Sequence, residues 1–570
     1  MALILGIDTG GTCTDSVIFD TSCQKVLHKA KAFTTRQRLQ SGIEAALRSL
    51  HFDGFSSLDS VHLSTTLAVN SILEKRIADV GAVLLGSDLE QPLPCSRKFV
   101  APAQISPITL NEHTKNHTMV QGLISEFSGG MDALIVSSHG VRRNPQNEEN
   151  MARLLRQLFQ VPVYCAKDLS ANHGFYERTV TCLLNAGLIP VIREWLDAVT
   201  AVLTNLNISA PVYIMKSNGT LMDTETAMEK PIRTLMSGPA ASVAGGRFLT
   251  KEKDFLLIDM GGTSADVTKV TDGLVRMRKG PTKVNDFPVS LRAIDIQSFP
   301  IGGDSHIYYN QMGKLTVGPQ KVIPLCVAAN TWPHLYQEFQ EYQRTDGYEM
   351  FTAYDTDCYM LGSRKHLTAL NDTERSVVRF LKEKPHSLFY IADHFHTDPD
   401  ALHLNTLVNQ RYLQRISFTP TDLLHVTGKY VTWFREISCA AASRMAQIGK
   451  QDLSEFLRAC ETLVTDHLVF SCMQSIANFE QKGFDFRSSE ATLYLIDKYL
   501  EPSSPYFDIE FNIRKPIVAV GAPSGSWMQQ VADKLGTKLI LPPDFEVANA
   551  IGAAVSNCIT EREEPECHIY

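Results

Sequence analysis

The chain of 570 residues lacks the features that mark several protein classes. Its twelve cysteines are scattered and include no C-x-x-C pair, so we expect reduced thiols in a cytosolic protein. No apolar run approaches the 18 residues that a membrane-spanning helix needs. Positive charge is not in excess, since the formal net charge is −8, and this disfavours binding to nucleic acid or to anionic membranes.

What remains is the composition of a soluble globular protein, with 44% hydrophobic and 20% charged residues. The opening MALILGIDTG becomes acidic too soon for a secretion signal, which agrees with a cytoplasmic location. Single hydrophobic cores stop growing near about 250–300 residues, so a chain of this length is expected to form several domains.

One motif occurs twice, and it reads Asp-x-Gly-Gly-Thr-x-x-Asp. The copies are residues 8–15 (DTGGTCTD) and 259–266 (DMGGTSAD), and each follows a short run of β-branched and leucine residues that is typical of a buried strand. A single copy would more often be an ordinary hairpin. Two copies with matching hydroxyl and acidic positions indicate a duplicated phosphate-binding half.

The glycines of each motif predict a tight turn with positive φ between two strands of a hairpin. Such a turn presents bare amide groups as an anion-binding concavity, and the lack of Cβ atoms lets a phosphate approach the backbone. A threonine adds a hydroxyl donor. The predicted phosphate-binding residues are Gly10, Gly11 and Thr12 in the first copy and Gly261, Gly262 and Thr263 in the second.

Each motif also carries two aspartates. A carboxylate at the strand end, Asp8 or Asp259, would repel phosphate unless a cation lay between them, so both are predicted to hold Mg²⁺, partly through water. Asp15 and Asp266 lie seven residues beyond the strand-end acids and are candidates for orienting a nucleophile or a water molecule. Their alternative role is capping or hairpin formation in the returning strand.

Strand and helix patterns alternate through the first half, which is the signature of an α/β fold. The predicted elements include strands at 61–64, 81–85 and 133–137 and a long helix at 176–206. Near the C-terminus a third small-residue turn follows an apolar strand, and Gly521, Ala522 and Ser524 are expected to face a flat base or ribose. Two helices are made almost entirely of small residues, at 240–246 and 547–554. Such small faces permit the two helices to cross with their backbones close together, and the alternative is that each helix packs tightly under a sheet. The segment Ser237-Gly238-Pro239 is expected to cap the first of these helices, with Pro239 at the first helical position.

The segment from about 322 to 505 differs from the rest of the chain. Residues 372–383, 388–395 and 399–411 read as three helices with winged-helix spacing, but residues 371–426 carry seven acidic and six basic residues. They lack the basic face that DNA demands, so we favour a structural or protein-docking insert. The histidines at 394, 396 and 403 read as loop and surface residues rather than metal ligands.

Together these turns and helices resemble the ATPase superfamily of actin, the sugar kinases and the heat-shock chaperones. Within it, the chain most resembles the hydantoinase A and 5-oxoprolinase family over most of residues 1–320 and 515–556. The matching segments are LGIDTGGTCTDSV, STTLAVNSILEKR, YERTVTCLLNAGLIP, MKSNGTLM, LMSGPAASVAGG, LIDMGGTSADV and VANAIGAA.

The resemblance implies an α/β fold of duplicated ribonuclease-H-like, actin-like ATPase halves around a nucleotide cleft, with a mainly helical insert in the second half. It divides the chain into five segments: 1–75, the beginning of the first half; 76–210, an inserted α/β subdomain; 211–320, a crossing helix and the second phosphate half; 321–505, the divergent insert with its winged-helix-like stretch; and 506–570, the adenosine turn, the second crossing helix and a C-terminal tail.

The implied activity is ATP- and Mg²⁺-dependent opening of a cyclic amide, a hydantoin or 5-oxoproline, by phosphorylation of the amide oxygen. A hydantoinase B-type chain is expected as a partner. Neither nucleic acid nor a membrane is expected to bind. The substrate-side candidates are Asn70, Glu177, Arg178 and Ser237. A small-molecule kinase and an ATP-driven reactivation or assembly factor for a protein client are the alternatives.

The chain departs from the family at residues 299–305, where the family has a glycine-rich IGAGGGS turn and this sequence reads FPIGGDS. Asp304 is therefore expected to alter the charge beside the second phosphate turn. The family's substrates cannot be assumed for this chain.

Overall fold

A computed structural model describes residues 3–34, 39–104, 113–169, 174–278, 280–342, 355–362, 364, 370–501 and 503–556. The chain divides into two compact units. Unit 1 comprises Met1–Asp254, Lys269–Ile296 and Pro542–Tyr570, and unit 2 comprises Phe255–Thr268 and Gln297–Leu541.

The strands and helices up to residue 254 are β1 (Leu3–Thr9), β2 (Cys13–Asp20), β3 (Lys25–Phe33), α1 (Leu39–Arg48), β4 (Ser60–Thr65), α2 (Leu67–Leu73), β5 (Val80–Leu85), β6 (Lys98–Ala101), α3 (His113–Phe127), β7 (Ala133–Ser138), α4 (Gln146–Leu158), β8 (Val163–Cys165), α5 (Phe175–Asn205), β9 (Val212–Met215), β10 (Leu221–Asp223), α6 (Thr224–Glu229) and α7 (Ser237–Leu249).

The later elements are β11 (Phe255–Met260), β12 (Ala265–Thr271), β13 (Leu274–Val275), β14 (Thr282–Val284), β15 (Phe287–Val289), β16 (Ile296–Phe299), β17 (Ser305–Tyr309), β18 (Leu315–Lys321), β19 (Ile323–Pro324), α8 (Leu325–Thr331), α9 (His334–Tyr342), β20 (Cys358–Leu361), α10 (Asp372–Phe380), β21 (His386–Ser387), α11 (Leu388–His394), α12 (Leu404–Asn409), β22 (Leu413–Ser417), α13 (Pro420–Thr427), α14 (Arg435–Ile448), α15 (Leu453–Glu480), α16 (Glu490–Leu500), β23 (Ile517–Val520), α17 (Ser524–Lys534), β24 (Leu539–Ile540) and α18 (Ala548–Ala554).

The main sheet of unit 1 has the strand order β10-β9-β4-β1-β2-β3. β1 pairs antiparallel with β2, which pairs antiparallel with β3, whereas β4 runs parallel to both β1 and β9. Apolar side chains of β1 and β2, such as Leu5, Ile7 and Ile18, are fully buried in the same core. The first copy of the repeated motif thus forms the hairpin at the centre of this sheet.

Unit 2 repeats this arrangement. Its sheet contains the order β12-β11-β23-β24, in which β23 runs parallel to β11 and to β24. The hairpin strands β11 and β12 therefore correspond to β1 and β2, and the parallel strands β23 and β24 correspond to β4 and β9. The predicted α/β fold with duplicated halves is confirmed, because two hairpins carrying the same motif begin two sheets of the same strand order.

A separate four-stranded sheet lies within unit 1, with the order β6-β5-β7-β8 and all strands parallel. Apolar residues of its strands, including Val83 and Val136, form a core with Leu123 of α3 and Leu154 of α4. Parallel strands require covered faces, which explains the nearly continuous apolar runs that predicted β5 and β7 from the sequence.

The two small-residue helices α7 and α18 pack closely within unit 1. A Cβ on Gly245 would overlap the carbonyl oxygen of Ala548, and one on Gly552 would overlap that of Ala241. α18 also packs on the first sheet, where a Cβ on Gly6 of β1 would overlap the Ala550 carbonyl oxygen. The prediction that small faces permit a close helix crossing is therefore met in the backbone geometry of unit 1.

The prediction for the start of α7 was wrong in one detail. The helix begins at Ser237, so Pro239 is its third residue rather than its first, and Met236 precedes the helix with φ 62°. Proline is tolerated there because the amide groups of a first helical turn have no partner within the helix.

The divergent segment of unit 2 is mainly helical, as predicted, and residues 372–411 surround a small core that includes Tyr359, Val377 and Leu407. The predicted third helix at 399–411 was wrong as a single element. It is divided into a 3₁₀ turn, Pro399–Leu402, and α12, because His403 takes a left-handed conformation with φ 50°. Among the described residues, no helix is both long and apolar enough to cross a bilayer.

Candidate functional site

The first glycine turn closes the hairpin of β1 and β2. The Gly10 amide donates to the Cys13 carbonyl oxygen at 2.9 Å, and the strand register pairs Asp8 with Asp15. Two expectations are corrected here. Gly10 does not have positive φ, and its amide is not bare because it closes the turn. Glycine is required instead by close packing, since a Cβ on Gly10 would lie 2.9 Å from the Cys13 oxygen.

Asp8 is the penultimate residue of β1 and lies beside the parallel strand β4. The register places Asp8 next to Ser64, and the Ser64 hydroxyl donates to Asp8 Oδ1 at 2.6 Å. The Trp195 indole donates to the Thr9 hydroxyl at 3.1 Å and further fixes the strand end. Asp8 is only 4% exposed, so the fold holds this carboxylate in one orientation at the base of the glycine turn.

Asp15, the second acid of the motif, is paired with a cation. Lys31 lies opposite it on β3, and its Nζ is 2.5 Å from Asp15 Oδ1. Burial raises the pKa of Asp15 while the Lys31 ammonium opposes that shift. Burial also disfavours the charge on Lys31, but the carboxylates of Asp15 and Asp8 raise the pKa of the lysine. The first half therefore holds a permanent cation close to Asp8.

The second glycine turn has the same closure. The Gly261 amide donates to the Ser264 carbonyl oxygen at 2.9 Å, and Gly261 lacks positive φ as well. The carbonyl oxygens of Gly261 and Gly262 accept bonds from the amides of Gly303 at 3.1 Å and Asp304 at 2.6 Å. Residues 302–304 therefore brace the carbonyl side of the turn.

That brace requires glycine. A Cβ on Gly302 would lie 2.6 Å from the Gly262 oxygen and 2.7 Å from the Gly261 oxygen. Thr421 supports the loop by donating from its hydroxyl to the Gly303 carbonyl at 2.8 Å. Asp304, the residue that departs from the family pattern, is buried beside the turn with 8% exposure. Although its sequence differs from the family pattern here, the chain has glycines at the two positions that contact the turn, Gly302 and Gly303, and a carboxyl group next to them.

The third turn lies against the second within unit 2. β11 and β23 are parallel with Asp259 beside Val520, so both strands end at the same edge of the sheet. Gly521 has φ 89°, and a Cβ there would overlap the Met260 carbonyl oxygen and lie 2.7 Å from Asp259 Oδ1. The geometry therefore brings Gly521 next to Asp259, although the two residues are far apart in sequence.

Ser524 does not fit its expected role of facing a ligand. The residue is fully buried at the start of α17, and its hydroxyl donates to the Val520 carbonyl oxygen at 2.5 Å. Ala522, in contrast, is partly exposed on the turn. The available surface of the third turn consists of Gly521 and Ala522 rather than the serine.

Asp266 differs from its counterpart Asp15, since no lysine, arginine or histidine of the described residues forms an ion pair with it. The residue is partly exposed, but its Oδ1 is enclosed and has no hydrogen-bond partner there. Burial raises the pKa of Asp266 to about 6, against the opposing effects of Ser298, Lys321 and Ser264. The second half therefore contains a carboxyl group able to gain or release a proton near neutral pH.

This pKa predicts the effect of Asp266→Asn on stability. Because the pKa rises from 3.8 to about 6 on folding, the wild type loses stability as the pH rises from about 4 to above 6. The asparagine variant avoids that loss, so its advantage should grow over this range by about 1–3 kcal/mol. Urea unfolding at several pH values measures it, and a difference that is independent of pH would contradict the assignment.

The substrate-side candidates do not form one cluster. Asn70 lines a cavity of about 240 Å³ in unit 1 and donates to the Thr66 hydroxyl at 3.1 Å. The cavity adjoins the first glycine turn, and its lining residues are Gly11, Thr34, Leu39, Leu67, Asn70, Ser71, Arg76, Val191 and Glu194. Asn70 is thus the candidate that the fold places beside the first glycine turn.

Arg178 and Glu177 lie at the start of α5, about 20 Å along the helix axis from Val191 of that cavity. Arg178 is 4% exposed and donates to the Ser138 carbonyl oxygen, and burial lowers its pKa against the attraction of Glu148. The Glu177 carboxyl folds back over Gly174, the residue before the helix. The Arg178 hydrogen bond joins α5 to the four-stranded sheet.

Ser237 is fully buried at the start of α7. Its hydroxyl donates to the Thr65 carbonyl oxygen at 2.7 Å and accepts from the Thr65 amide at 3.2 Å. Both interactions link α7 to the end of β4. The residue that sequence reasoning placed near a substrate is therefore engaged with the backbone that follows Ser64.

Several residues around the turns escaped the sequence analysis. Ser64 contacts Asp8, Lys31 contacts Asp15, and the residues at 302–304 support the second turn. Ser64 offered a signal, because the end of a strand parallel to β1 must lie beside the end of β1. The position of Lys31 could not be predicted, because the register of β3 cannot be read from the sequence.

Comparison with known proteins agrees with this architecture. The family model described as "Hydantoinase/oxoprolinase N-terminal region" matches residues 4–98, and the model "Hydantoinase/oxoprolinase" matches residues 178–324. These matches show that residues 4–98 and 178–324 are similar to the hydantoinase/oxoprolinase family. The resemblance inferred from the motifs is thereby confirmed.

Two relatives illustrate the extent of the match. The chain is 25% identical over 366 residues to the caprolactamase subunit alpha of Pseudomonas jessenii, covering 58% of this chain and 52% of the relative. It is 24% identical over 216 residues to the 5-oxoprolinase of Saccharomyces cerevisiae, covering 37% and 16%. The chain therefore spans about half the length of the first relative and less of the second.

Among solved structures, a nucleotide-free acetone carboxylase matches with a TM-score of 0.65 at 16% identity. The match covers 97% of this chain and 70% of the other. At this identity the likeness shows the fold alone. It extends across both family-model matches and also across the divergent segment.

Proposed function

We propose that the chain is a subunit of an ATP-dependent enzyme that phosphorylates the amide oxygen of a small cyclic amide and so opens the ring. The observation that carries this proposal is the duplication of one arrangement. In each unit a strand ends in an aspartate at the base of a glycine turn, with a parallel strand beside it.

The residues of the turns suit phosphate and Mg²⁺. Apart from the two neighbouring residues in the chain, the nearest atom to a Cβ on Gly261 would be the Ser264 carbonyl oxygen at 3.7 Å, so the described fold does not itself require glycine at this position. The lack of a side chain leaves room for a ligand close to the backbone. Asp8 in unit 1 and Asp259 in unit 2 would each supply carboxylate oxygens of the kind that Mg²⁺ prefers, and Mg²⁺ would neutralise charge on the phosphate groups.

The chemistry explains why an ATP-using enzyme needs such a site. An unstrained lactam is a poor electrophile, and attack of its oxygen on the γ-phosphorus of ATP breaks the β,γ P–O bond and releases ADP. Water adds to the ring carbon of the phosphorylated amide, and the C–N bond opens as the ring nitrogen leaves with a proton as the amine. The acyl phosphate that remains is hydrolysed by a second water to the carboxylic acid and free phosphate. Phosphoryl transfer depends mainly on positioning and charge stabilisation, which glycine turns and fixed carboxylates supply.

Two groups outside the turns support the same chemistry. Lys31 is a cation held near Asp8, and a fixed cation stabilises charge on transferring phosphoryl oxygens. Asp266, with its pKa of about 6, can accept a proton at neutral pH. We assign Lys31 to charge stabilisation and Asp266 to proton acceptance from the attacking water.

Gly261→Ala tests the close approach of phosphate directly. The added methyl group meets only ordinary contacts at 3.7 Å in the protein, so the melting temperature should change little. The methyl would occupy the space of the phosphate, and ATP turnover should fall by at least about 10-fold. Enzyme-coupled detection of ADP measures the turnover.

Gly302→Ala is the contrasting variant, because its methyl group would lie 2.6 Å from the Gly262 oxygen and should lower the melting temperature. If Gly261→Ala hydrolysed ATP at the wild-type rate, phosphate would not approach this backbone. If it unfolded like Gly302→Ala, the glycine would serve folding instead.

A partner chain is part of the proposal. Relatives carry the names caprolactamase subunit alpha and acetone carboxylase beta subunit, which describe components of larger enzymes. We propose a hydantoinase B-type chain that completes hydrolysis after phosphorylation here.

Product analysis tests the function. The chain and candidate partner are incubated with ATP, Mg²⁺ and a panel of lactams, hydantoins and 5-oxoproline, and the ring-opened acid, ADP and free phosphate are quantified. Equal amounts of the three products with one ring class support the proposal. A phosphate ester that persists, or ATP hydrolysis that no cyclic amide alters, would contradict it.

A further inference from the structure

Three metal-binding side chains of unit 2 lie together in the divergent segment, apart from the residues discussed above. They are His334 and Glu338 of α9 and His386 of β21, and one ligand atom of each lies within 4.8 Å of the other two. His334 and Glu338 are four residues apart and so share one face of the helix. Glu338 and His386 are 6% and 3% exposed, so the cluster is a largely buried one.

The distances are close to those of a metal site. Glu338 Oε1 is 2.6 Å from His386 Nδ1 and 4.0 Å from His334 Nε2. Zinc–ligand bonds of about 2.0–2.1 Å place two ligand atoms of a tetrahedral site about 3.3 Å apart. The distance to His386 is about 0.7 Å shorter than that spacing, and the distance to His334 is about 0.7 Å longer. Rotation of the side chains can correct both differences.

The surrounding residues hold the cluster in position. The Ser387 amide donates to Glu338 Oε2 at 2.8 Å, which orients the carboxylate and directs Oε1 towards His386. The His386 ring stacks with Tyr390 at 4.4 Å and with Phe380 at 4.9 Å between ring centroids. Such supporting contacts are what fix the ligands of a metal site.

We propose that His334, Glu338 and His386 bind one Zn²⁺ ion, with water as a fourth ligand. Two imidazoles and one carboxylate form a donor set that zinc uses in sites with an open position. Binding replaces the proton shared by His386 and Glu338, and it also replaces the hydrogen bond from His334 Nε2 to the Pro385 carbonyl oxygen, which is 2.8 Å long. The ion joins α9 to β21 and thereby links two parts of the divergent segment.

The competing account is a buried hydrogen-bonded pair of His386 and Glu338 that needs no metal. Both accounts predict that loss of Glu338 destabilises the fold, so stability alone does not separate them. Zinc binding does, because only the first account predicts that the ion binds the wild type and stabilises it.

The experiment uses the full chain, freed of metal by dialysis against a chelator and titrated with zinc chloride in a calorimeter. We expect about one zinc ion per chain and a rise in melting temperature on zinc addition. Glu338→Gln keeps the shape of the side chain but not its charge, and it should weaken binding by more than about 100-fold. His386→Ala should do the same, as should His334→Ala.

His394→Ala is the matched control, since this neighbouring histidine is exposed and outside the cluster. It should bind zinc like the wild type. Absence of zinc binding by the wild type would overturn the proposal and leave the hydrogen-bonded pair. Equal binding by Glu338→Gln would assign the zinc to other side chains, such as the cysteines, and would overturn it as well. Neither result bears on ATP turnover, so this test is independent of the proposed function.

Discussion

Asp8→Asn and Asp259→Asn should each reduce Mg·ATP turnover by about 100-fold or more while the chain stays folded. Asparagine has the shape of aspartate, and its carbonyl oxygen can still accept the bond from the Ser64 hydroxyl. It cannot supply the negative charge that draws Mg²⁺ to the phosphate groups. The expected loss is therefore functional, and equal effects in both variants follow from the repeated position of the two aspartates in their hairpins.

Asp53→Asn and Asp508→Asn are suitable controls, because they remove the same charge from exposed positions of unit 1 and unit 2. Both should retain wild-type turnover. Circular dichroism and melting curves establish that each variant is folded. Turnover near the wild-type value in Asp8→Asn or Asp259→Asn would remove that residue from the metal-binding role.

Gly552→Ala should destabilise unit 1 by about 3 kcal/mol or more. The added Cβ would overlap the Ala241 carbonyl oxygen of α7. This oxygen belongs to the backbone, so it cannot rotate away as the end of a side chain could. α18 is also packed on β1, where Gly6 meets the Ala550 carbonyl oxygen. The helices would therefore have to separate, and the displacement would reach the strand that carries Asp8. Calorimetric melting measures the loss.

Ala244→Gly in α7 is the comparison for this variant. It loosens α7, the helix that α18 crosses, without adding an atom, and it should cost only about 1 kcal/mol from helix propensity. Similar costs for the two substitutions would show that helix propensity, rather than the close crossing, determines the stability of this region. A Gly552→Ala protein as stable as the wild type would mean that α7 and α18 do not approach each other as described.

Much of the fold could be predicted because local patterns were unambiguous. The strands at 61–64, 81–85 and 133–137 and the helix at 176–206 were apolar runs or long periodic segments, and the structure has each within about two residues. The strand at β6 and the helix α3 were not predicted, and β6 has an exposed, weakly patterned sequence. The break at His403 also escaped prediction, because tertiary packing rather than a glycine or proline imposes it.

The glycine turns were predicted for reasons that proved only partly right. The motif correctly predicted the hairpin and the position of both aspartates. It also predicted a positive φ, which Gly10 does not have, and close packing explains the glycine at that position instead. Arg178 and Ser237 were predicted to be substrate-side residues because they are polar and lie in segments that resemble the family. Their burial against the backbone could not be known before the sheet and helices were assembled.

The cluster of His334, Glu338 and His386 was not predicted, because only histidines close together in the sequence suggested a metal site. His394, His396 and His403 are exposed and do not assemble with other metal ligands among the described residues. The spacing of His334 and Glu338 on one helical face was a readable signal. The third member, His386, lies 48 residues beyond Glu338, and only the folded chain brings it near.

Calorimetric titration of the chain with a non-hydrolysable ATP analogue, with and without Mg²⁺, tests the central claim most directly. The account predicts one nucleotide per chain, dependence on Mg²⁺, and weak or absent binding in both Asp8→Asn and Asp259→Asn. Binding unaffected by either substitution, or no detectable binding to the wild type, would contradict it.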